Sequence, residues 1–141
     1  MLKKLGYSDE DFAIGYRVRV NDASRNFNKE ADIVAFDDKT NPNLNAPLLI
    51  EAKSNNKLIN NDDVAQARYY CRELHTPYYM VTNGEEIRIY LYRGSSYQPD
   101  HPLMNFKRSE IKQNWNFLYK HVNKSAILQY KKKLEQLYNE I

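Results

Sequence analysis

This chain has a single cysteine, no long apolar run and a net charge of only +3, and the first two shortages each remove a class of protein. Cys71 alone rules out an internal disulfide, so a reducing, cytoplasmic setting is the natural reading. No apolar stretch reaches the ~20 residues that a bilayer span needs, and the N-terminus has no signal-peptide pattern, so no membrane partner is expected. With 21 Lys and Arg against 18 Asp and Glu, total charge does not argue for nucleic acid. There is no G-x-x-x-x-G-K-[ST] phosphate loop, hence no ATP site by that motif in this chain. His75, His101 and His121 lie far apart, without H-E-x-x-H spacing, so zinc is not expected. Internal repeats, low-complexity tracts and linkers are also missing.

What is present is an ordinary soluble composition. The 141 residues suffice for one domain, 1–141, with a real core, and 42% hydrophobic against 28% charged residues is the usual balance. Twelve tyrosines are many for this length and are read as packing residues with their hydroxyls at the surface. Basic residues recur at Arg17, Arg19, Arg25, Lys29, Lys53, Lys57, Arg68 and Arg72, in the first half of the chain.

Hydrophobic periodicity gives the order of elements. Met1 to Leu5 reads as the last turn of a helix stopped at Gly6, and Ser8 to Asp11 as an acidic turn. Phe12 to Val20 alternates as a half-exposed strand, with Ile14, Tyr16, Val18 and Val20 on one face. Asn21 to Lys29 is a polar connection. Two apolar runs follow, Glu30 to Phe36 and Pro47 to Lys53, separated by an Asn-, Asp- and Pro-rich loop from Asp37 to Ala46. A helix from about Asp62 to His75 buries Val64, Ala67, Cys71 and Leu74, then Tyr78 to Thr82 forms a strand. Asn83-Gly84 signals a two-residue hairpin into a strand from Ile87 to Tyr92. After a loop from Gly94 to Pro102, two helices, Ser109 to Val122 and Ser125 to Ile141, close the chain, each with a serine N-cap. The expected fold is α/β: a mixed sheet of about five strands flanked by helices, with a C-terminal helical part over about 106–141. The helix after the third strand makes a crossover to a parallel fourth strand.

The two apolar runs carry the chemistry. Asp32 lies inside the first, and Glu51-Ala52-Lys53 ends the second. Burying carboxylates and an ammonium in strands is costly unless they are paired or hold a metal. Glu51 and Lys53 point to one face of their strand, and Asp32 on the neighbouring strand converges with them if it faces the same way. Two carboxylates and the Ala52 backbone carbonyl make a hard oxygen set suited to Mg²⁺ or Mn²⁺. An ion held there would polarise a phosphate and activate water, with Lys53 beside the reaction. The competing reading is a buried acid–lysine ion pair, and an isolated E-x-K is too common to decide. Gln66 and Tyr70, four apart on the crossover helix, stack at the edge of its buried stripe. For Gln66 the alternative is a capping box with Asp63, and for Tyr70 it is core packing. Cys71 reads as inert core and Lys131-Lys132-Lys133 as a solvated face.

Taken in order, Leu5-Gly6-Tyr7, Lys29-Glu30-Ala31-Asp32-Ile33-Val34, Ile50-Glu51-Ala52-Lys53, Gln66-Ala67-Arg68-Tyr69-Tyr70 and Val81-Thr82-Asn83-Gly84 resemble the N-terminal nuclease domain of type I restriction enzyme R subunits. That domain belongs to the PD-(D/E)xK nuclease superfamily, and the resemblance spans roughly Leu2 to Arg93. It implies a restriction-endonuclease-like core and magnesium-dependent cleavage of DNA phosphodiesters. It also implies metal binding by Asp32 and Glu51, with Lys53 catalytic. Gln66 and Tyr70 match the family's glutamine-x-x-x-tyrosine helix motif. Gln66 is thereby expected at the catalytic centre, and Gln66, Tyr70, Arg68 and Lys57 as DNA contacts. The implied partners are DNA and the methyltransferase and specificity subunits of a restriction complex.

The chain departs from the family in two respects. The family's first helix extends further upstream and carries an acid that supports the metal site; here the nearest acids are Asp9, Glu10 and Asp11. The family's R subunits also continue into an ATP-driven translocase, so an excised domain or truncated reading frame is expected. Beside the endonuclease reading stand a catalytically impaired DNA-binding or assembly module of the same fold, and a repair or resolvase nuclease of the same superfamily.

Overall fold

The computed structural model describes residues 2–22, 25–36, 46–55, 57–92 and 102–139, with backbone alone for 19–22, 25–29, 131, 134, 135 and 138. Six strands, β1 (Phe12–Asp22), β2 (Arg25–Ala35), β3 (Leu48–Ala52), β4 (Tyr78–Thr82), β5 (Glu86–Leu91) and β6 (Pro102–Lys107), form one sheet in sequence order. Neighbours are antiparallel except β3 and β4, which run parallel because helix α1 (Asn61–Leu74) carries the chain back between them. After β6 come α2 (Ile111–Val122) and α3 (Lys124–Asn139). This is the expected mixed α/β architecture with two C-terminal helices.

The apolar runs are continuous because both faces of the sheet are covered. Side chains alternate along a strand, so Leu48 and Ile50 of β3 join Met80 and Ile89 on one face, under Leu118, Val122 and Ile127 of the C-terminal helices. Leu49 joins Tyr79, Val81 and Tyr90 on the other face, under Ala67, Tyr70 and Cys71 of α1. Leu49 and Leu118 are fully buried, and truncating either to alanine costs about 2–5 kcal/mol. Tyrosine serves both cores: Tyr79 stacks on Tyr90 at 4.9 Å between ring centroids. Tyr7 turns its hydroxyl inward, where it donates to the Val122 carbonyl at 3.3 Å.

The sixth strand lies where the sequence reads as loop running into helix. Pro102 opens it at an edge, where its missing N–H costs no ladder bond, and only Met104 and Phe106 are buried. The β1–β2 hairpin is also longer than the polar stretch from Asn21 to Lys29 implies. Its ladder continues through Val20–Phe27 to Asp22–Arg25. The expected loops at 37–46 and 94–102 fall almost wholly outside the described residues, as does Ile141.

Helix ends differ by a residue or two, each for a local reason. Asn60, not Asp63, caps α1: its side-chain oxygen accepts the Asp63 amide at 2.9 Å, and the Asp63 carboxylate accepts the Asn60 amide at 2.9 Å. Glu110 replaces Ser109 at the start of α2, reaching back to the Lys107 amide at 2.9 Å. Asn123 replaces Ser125 at α3, accepting the Ala126 amide at 2.9 Å. The expected two-residue hairpin is a three-residue connection, Asn83 to Glu85, with positive φ only at Gly84. There the Asn83 oxygen accepts the Glu85 and Glu86 amides at 3.0 and 2.8 Å.

Candidate active site

Asp32 and Glu51 meet where β2 separates from β3. The ladder between these strands runs from Ala35–Leu48 to Ile33–Ile50, so the next step in register sets Asp32 opposite Glu51. Side chains replace main chain at that step. The Asp32 amide donates to Glu51 Oε1 at 3.2 Å, and the Ala52 amide donates to Asp32 Oδ2 at 2.8 Å. Each strand's acid accepts the other strand's backbone.

A break in alternation lies beside this contact, one strand further out. Ladder pairs flank the position where Gly15 opposes Asp32, at Ile14–Ile33 and Tyr16–Ala31, and Gly15 has φ +65°. The inward alternation slips there: Ala13 packs on the α1 side, and so do Tyr16 and Val18. Ile14, read from sequence as sharing a face with Tyr16 and Val18, is 84% exposed instead. β2 slips in step, placing both Val34 and Ala31 on the α1 side with Asp32 and Ile33 between them.

Glu51 is 1% exposed, and its carboxyl is pushed up to about 7. Burial is the main cause; the Asp32 amide pulls the other way, the Asp32 carboxylate adds to the rise and Lys53 opposes it. Ionising Glu51 is thus unfavourable here, and the Asp32 amide and Lys53 offset the burial only in part. In an extended residue the N–H and C=O leave on the same side, so the Ala52 carbonyl points toward β2, as its amide does. Two carboxylates and that carbonyl are hard oxygen donors, the kind that a divalent ion such as Mg²⁺ takes. Among the described residues no group of three or more His, Cys, Asp or Glu side chains could hold a metal, so these donors stand without a further side chain of that kind.

Lys53 continues β3 by one residue, its amide bonded to the Thr82 carbonyl at 2.7 Å. Its ammonium lies 3.4 Å from Asp63 Oδ1 at the start of α1. Gln66 makes no capping box, since Asn60 has taken the Asp63 amide. Its Nε2 donates instead to the Tyr70 hydroxyl at 2.9 Å. Tyr70 is 1% exposed, deeper than the stripe edge read from sequence. Its pKa is raised by burial first; the Gln66 bond opposes that, while the nearby Glu51 and Asp32 charges add to it. The Tyr70 hydroxyl thus senses both acids, and Gln66 is bonded to it.

The other expected contacts lie further out. Arg68 sits over the Tyr92 ring, 5.3 Å from its centroid. Lys57 is exposed, and its carbonyl accepts Asn83 Nδ2 at 2.9 Å. Asp11 and Asp9 are engaged by Lys124 at 3.1 Å and Lys3 at 3.2 Å. His75 ends α1 at φ +54°, and His121 packs on Phe117; His101 lies outside the described residues. Sequence reasoning missed Asn60, Asp63 and Asn83 as supports of the site. The signal for the first two was an Asn three residues before an Asp at a helix start.

No curated protein and no solved structure matches the chain significantly. The family model for the type I restriction enzyme R protein N terminus matches residues 1–100, a span that holds β1 to β5, α1 and every residue of the Asp32–Glu51 centre. By that match, this chain belongs to the family of type I restriction enzyme R protein N termini.

Proposed function

We propose that this chain is a Mg²⁺-dependent endonuclease domain that cleaves DNA phosphodiesters within a type I restriction complex. The reading rests on one observation above all: Asp32 and the buried Glu51 face each other across parted strands, with the Glu51 carboxyl pushed up to about 7. Asp32, Glu51 and the Ala52 carbonyl would hold Mg²⁺, or Mn²⁺ in its place. When bound, the ion polarises the scissile phosphate and lowers the pKa of a coordinated water.

The chain's own residues do the rest. Lys53 sets a cation beside the phosphate, where negative charge grows as the nucleophile adds. Gln66 spends one amide hydrogen on Tyr70 and keeps the other to orient water or a phosphate oxygen. Tyr70 fixes the Gln66 rotamer, while Lys57 and Arg68 add charge for the DNA backbone. Methyltransferase and specificity subunits would supply sequence recognition.

The test is nicking of supercoiled plasmid DNA with and without Mg²⁺. Metal-dependent cleavage by the wild-type chain, lost in folded Asp32→Ala and Lys53→Ala proteins, supports the reading. Equal cleavage by those variants overturns it. Salt-dependent DNA binding without any Mg²⁺ or Mn²⁺ binding identifies an assembly module of the same fold instead.

A further inference from the structure

We infer that Asp63 is a positioning residue: it anchors the Lys53 ammonium over the Asp32–Glu51 centre. The inference rests on the nuclease reading above and adds a residue to it. Lys53 has a flexible four-carbon stem, and a lysine left free spends most of its time away from any one position. Here the ammonium is 3.4 Å from Asp63 Oδ1, with the Lys53 and Asp63 side chains only 25% and 15% exposed. It still acts on Glu51 and on the Tyr70 hydroxyl, so the contact with Asp63 holds it between helix and acids.

Asp63 is fixed for this task by its second oxygen. Oδ2 accepts the Asn60 amide at 2.9 Å, and the Asp63 amide is held in turn by the Asn60 side chain at 2.9 Å. The carboxylate therefore cannot swing away without breaking the helix cap. Asn60, Asp63 and Lys53 form a chain from the start of α1 to the site, and the helix end sets where the cation stands. A pre-placed cation costs no reorganisation when charge develops on the phosphate.

Four variants separate this role from simple helix capping. Asp63→Asn keeps an acceptor for the Asn60 amide and removes the charge. It should lower the melting temperature only slightly, through the lost charge at the helix start, while kcat for plasmid nicking falls roughly ten- to a hundred-fold, with KM for DNA and Mg²⁺ affinity unchanged. Asp63→Ala should lose both stability and rate. Asp63→Glu, which restores charge and cap, should recover most of the rate. Asn123→Ala, which removes the cap of α3 on the opposite face of the sheet, should lower stability and leave kcat within about two-fold. Wild-type kcat in Asp63→Asn overturns the proposal, as does a kcat loss that tracks melting temperature across all four.

A second measurement does not depend on cleavage. In lysine-labelled protein, NMR relaxation of side-chain ammonium groups should find Lys53 more ordered than the exposed Lys57, and Asp63→Asn should abolish the difference. A Lys53 ammonium as mobile as Lys57 in the wild type overturns the anchoring directly. An ordered Lys53, freed in Asp63→Asn, in a protein that cuts no DNA leaves the anchoring intact and removes the nuclease reading.

Discussion

Gly15 stands opposite Asp32 in the β1–β2 hairpin, between the ladder pairs Ile14–Ile33 and Tyr16–Ala31. Its φ of +65° lies where only glycine is comfortable, and a Cβ there would press within 3.3 Å of a Glu30 carboxylate oxygen. The alternation of both strands slips at this pair, next to the contacts that Asp32 makes with β3. Gly15→Ala is expected to cost about 1–2 kcal/mol and to weaken Mg²⁺ binding as Asp32 shifts. Urea denaturation and calorimetric titration read the two effects. A variant with wild-type stability and affinity would show that the glycine does not aim the acid.

Glu51 makes the metal-free protein sensitive to pH in an unusual direction. Its folded carboxyl is raised from 4.5 to about 7, so between those values the folded state holds a proton that the unfolded chain has released. Stability should therefore fall as pH rises from about 4.5 to about 7, by on the order of 3 kcal/mol, since each unit is worth ~1.4 kcal/mol. Glu51→Gln should flatten that slope and be the more stable protein at pH 8 in EDTA. Chemical denaturation from pH 5 to 8 measures it; parallel slopes for both proteins would contradict the burial argument.

Added Mg²⁺ should reverse the trend. An ion that binds only the folded state at a hundred times its Kd adds about 2.7 kcal/mol. The gain should be larger at pH 8 than at pH 5, where the Glu51 proton competes. Asp32→Asn should lose most of it, because the opposing carboxylate is gone. Melting curves with Mg²⁺ and with EDTA decide the point, and an equal rise in Asp32→Asn would move the metal elsewhere.

Asn83 is the hinge pin of the segment between Lys53 and Asn60. It is 6% exposed, donates to the Lys57 carbonyl and accepts two amides of its own turn. On the other side of that turn, a Cβ at Gly84 would collide with the Asn55 side chain. Asn83→Ala leaves these groups without partners and should cost about 2–3 kcal/mol. Faster hydrogen exchange at the Lys57 amide, now bonded to the Ser54 carbonyl at 3.1 Å, would mark the loosening. Unchanged exchange would mean the segment is held by other contacts.

The sequence shows most plainly what is decided locally or by burial on both faces. The runs at β3 and β4, the α1 stripe of Ala67 and Cys71, and the crossover between parallel strands are legible for that reason. β6 is hidden because an edge strand begun by Pro102 needs only Met104 and Phe106 buried. The slip at Gly15 is hidden because it belongs to a pair of strands, and alternation along one strand cannot report it. The acids and Lys53 stand out as charges in apolar runs. Asp63 does not, because its partner is ten residues away and its helix-start position already explains an acid there.

Tyr7 and Asp11 lie within the family-matched span, whereas their partners, Val122 and Lys124, lie beyond it. The floor of one core is shared in the same way: Leu5, Ile50 and Met80 rest against Met104, Phe106, Leu118 and Ile127. The matched span and the packed core are therefore different lengths of chain. Protein engineers grafting this module should take the last forty-one residues with it, for a piece cut at position 100 would carry every candidate reactive group on a sheet stripped bare on one side.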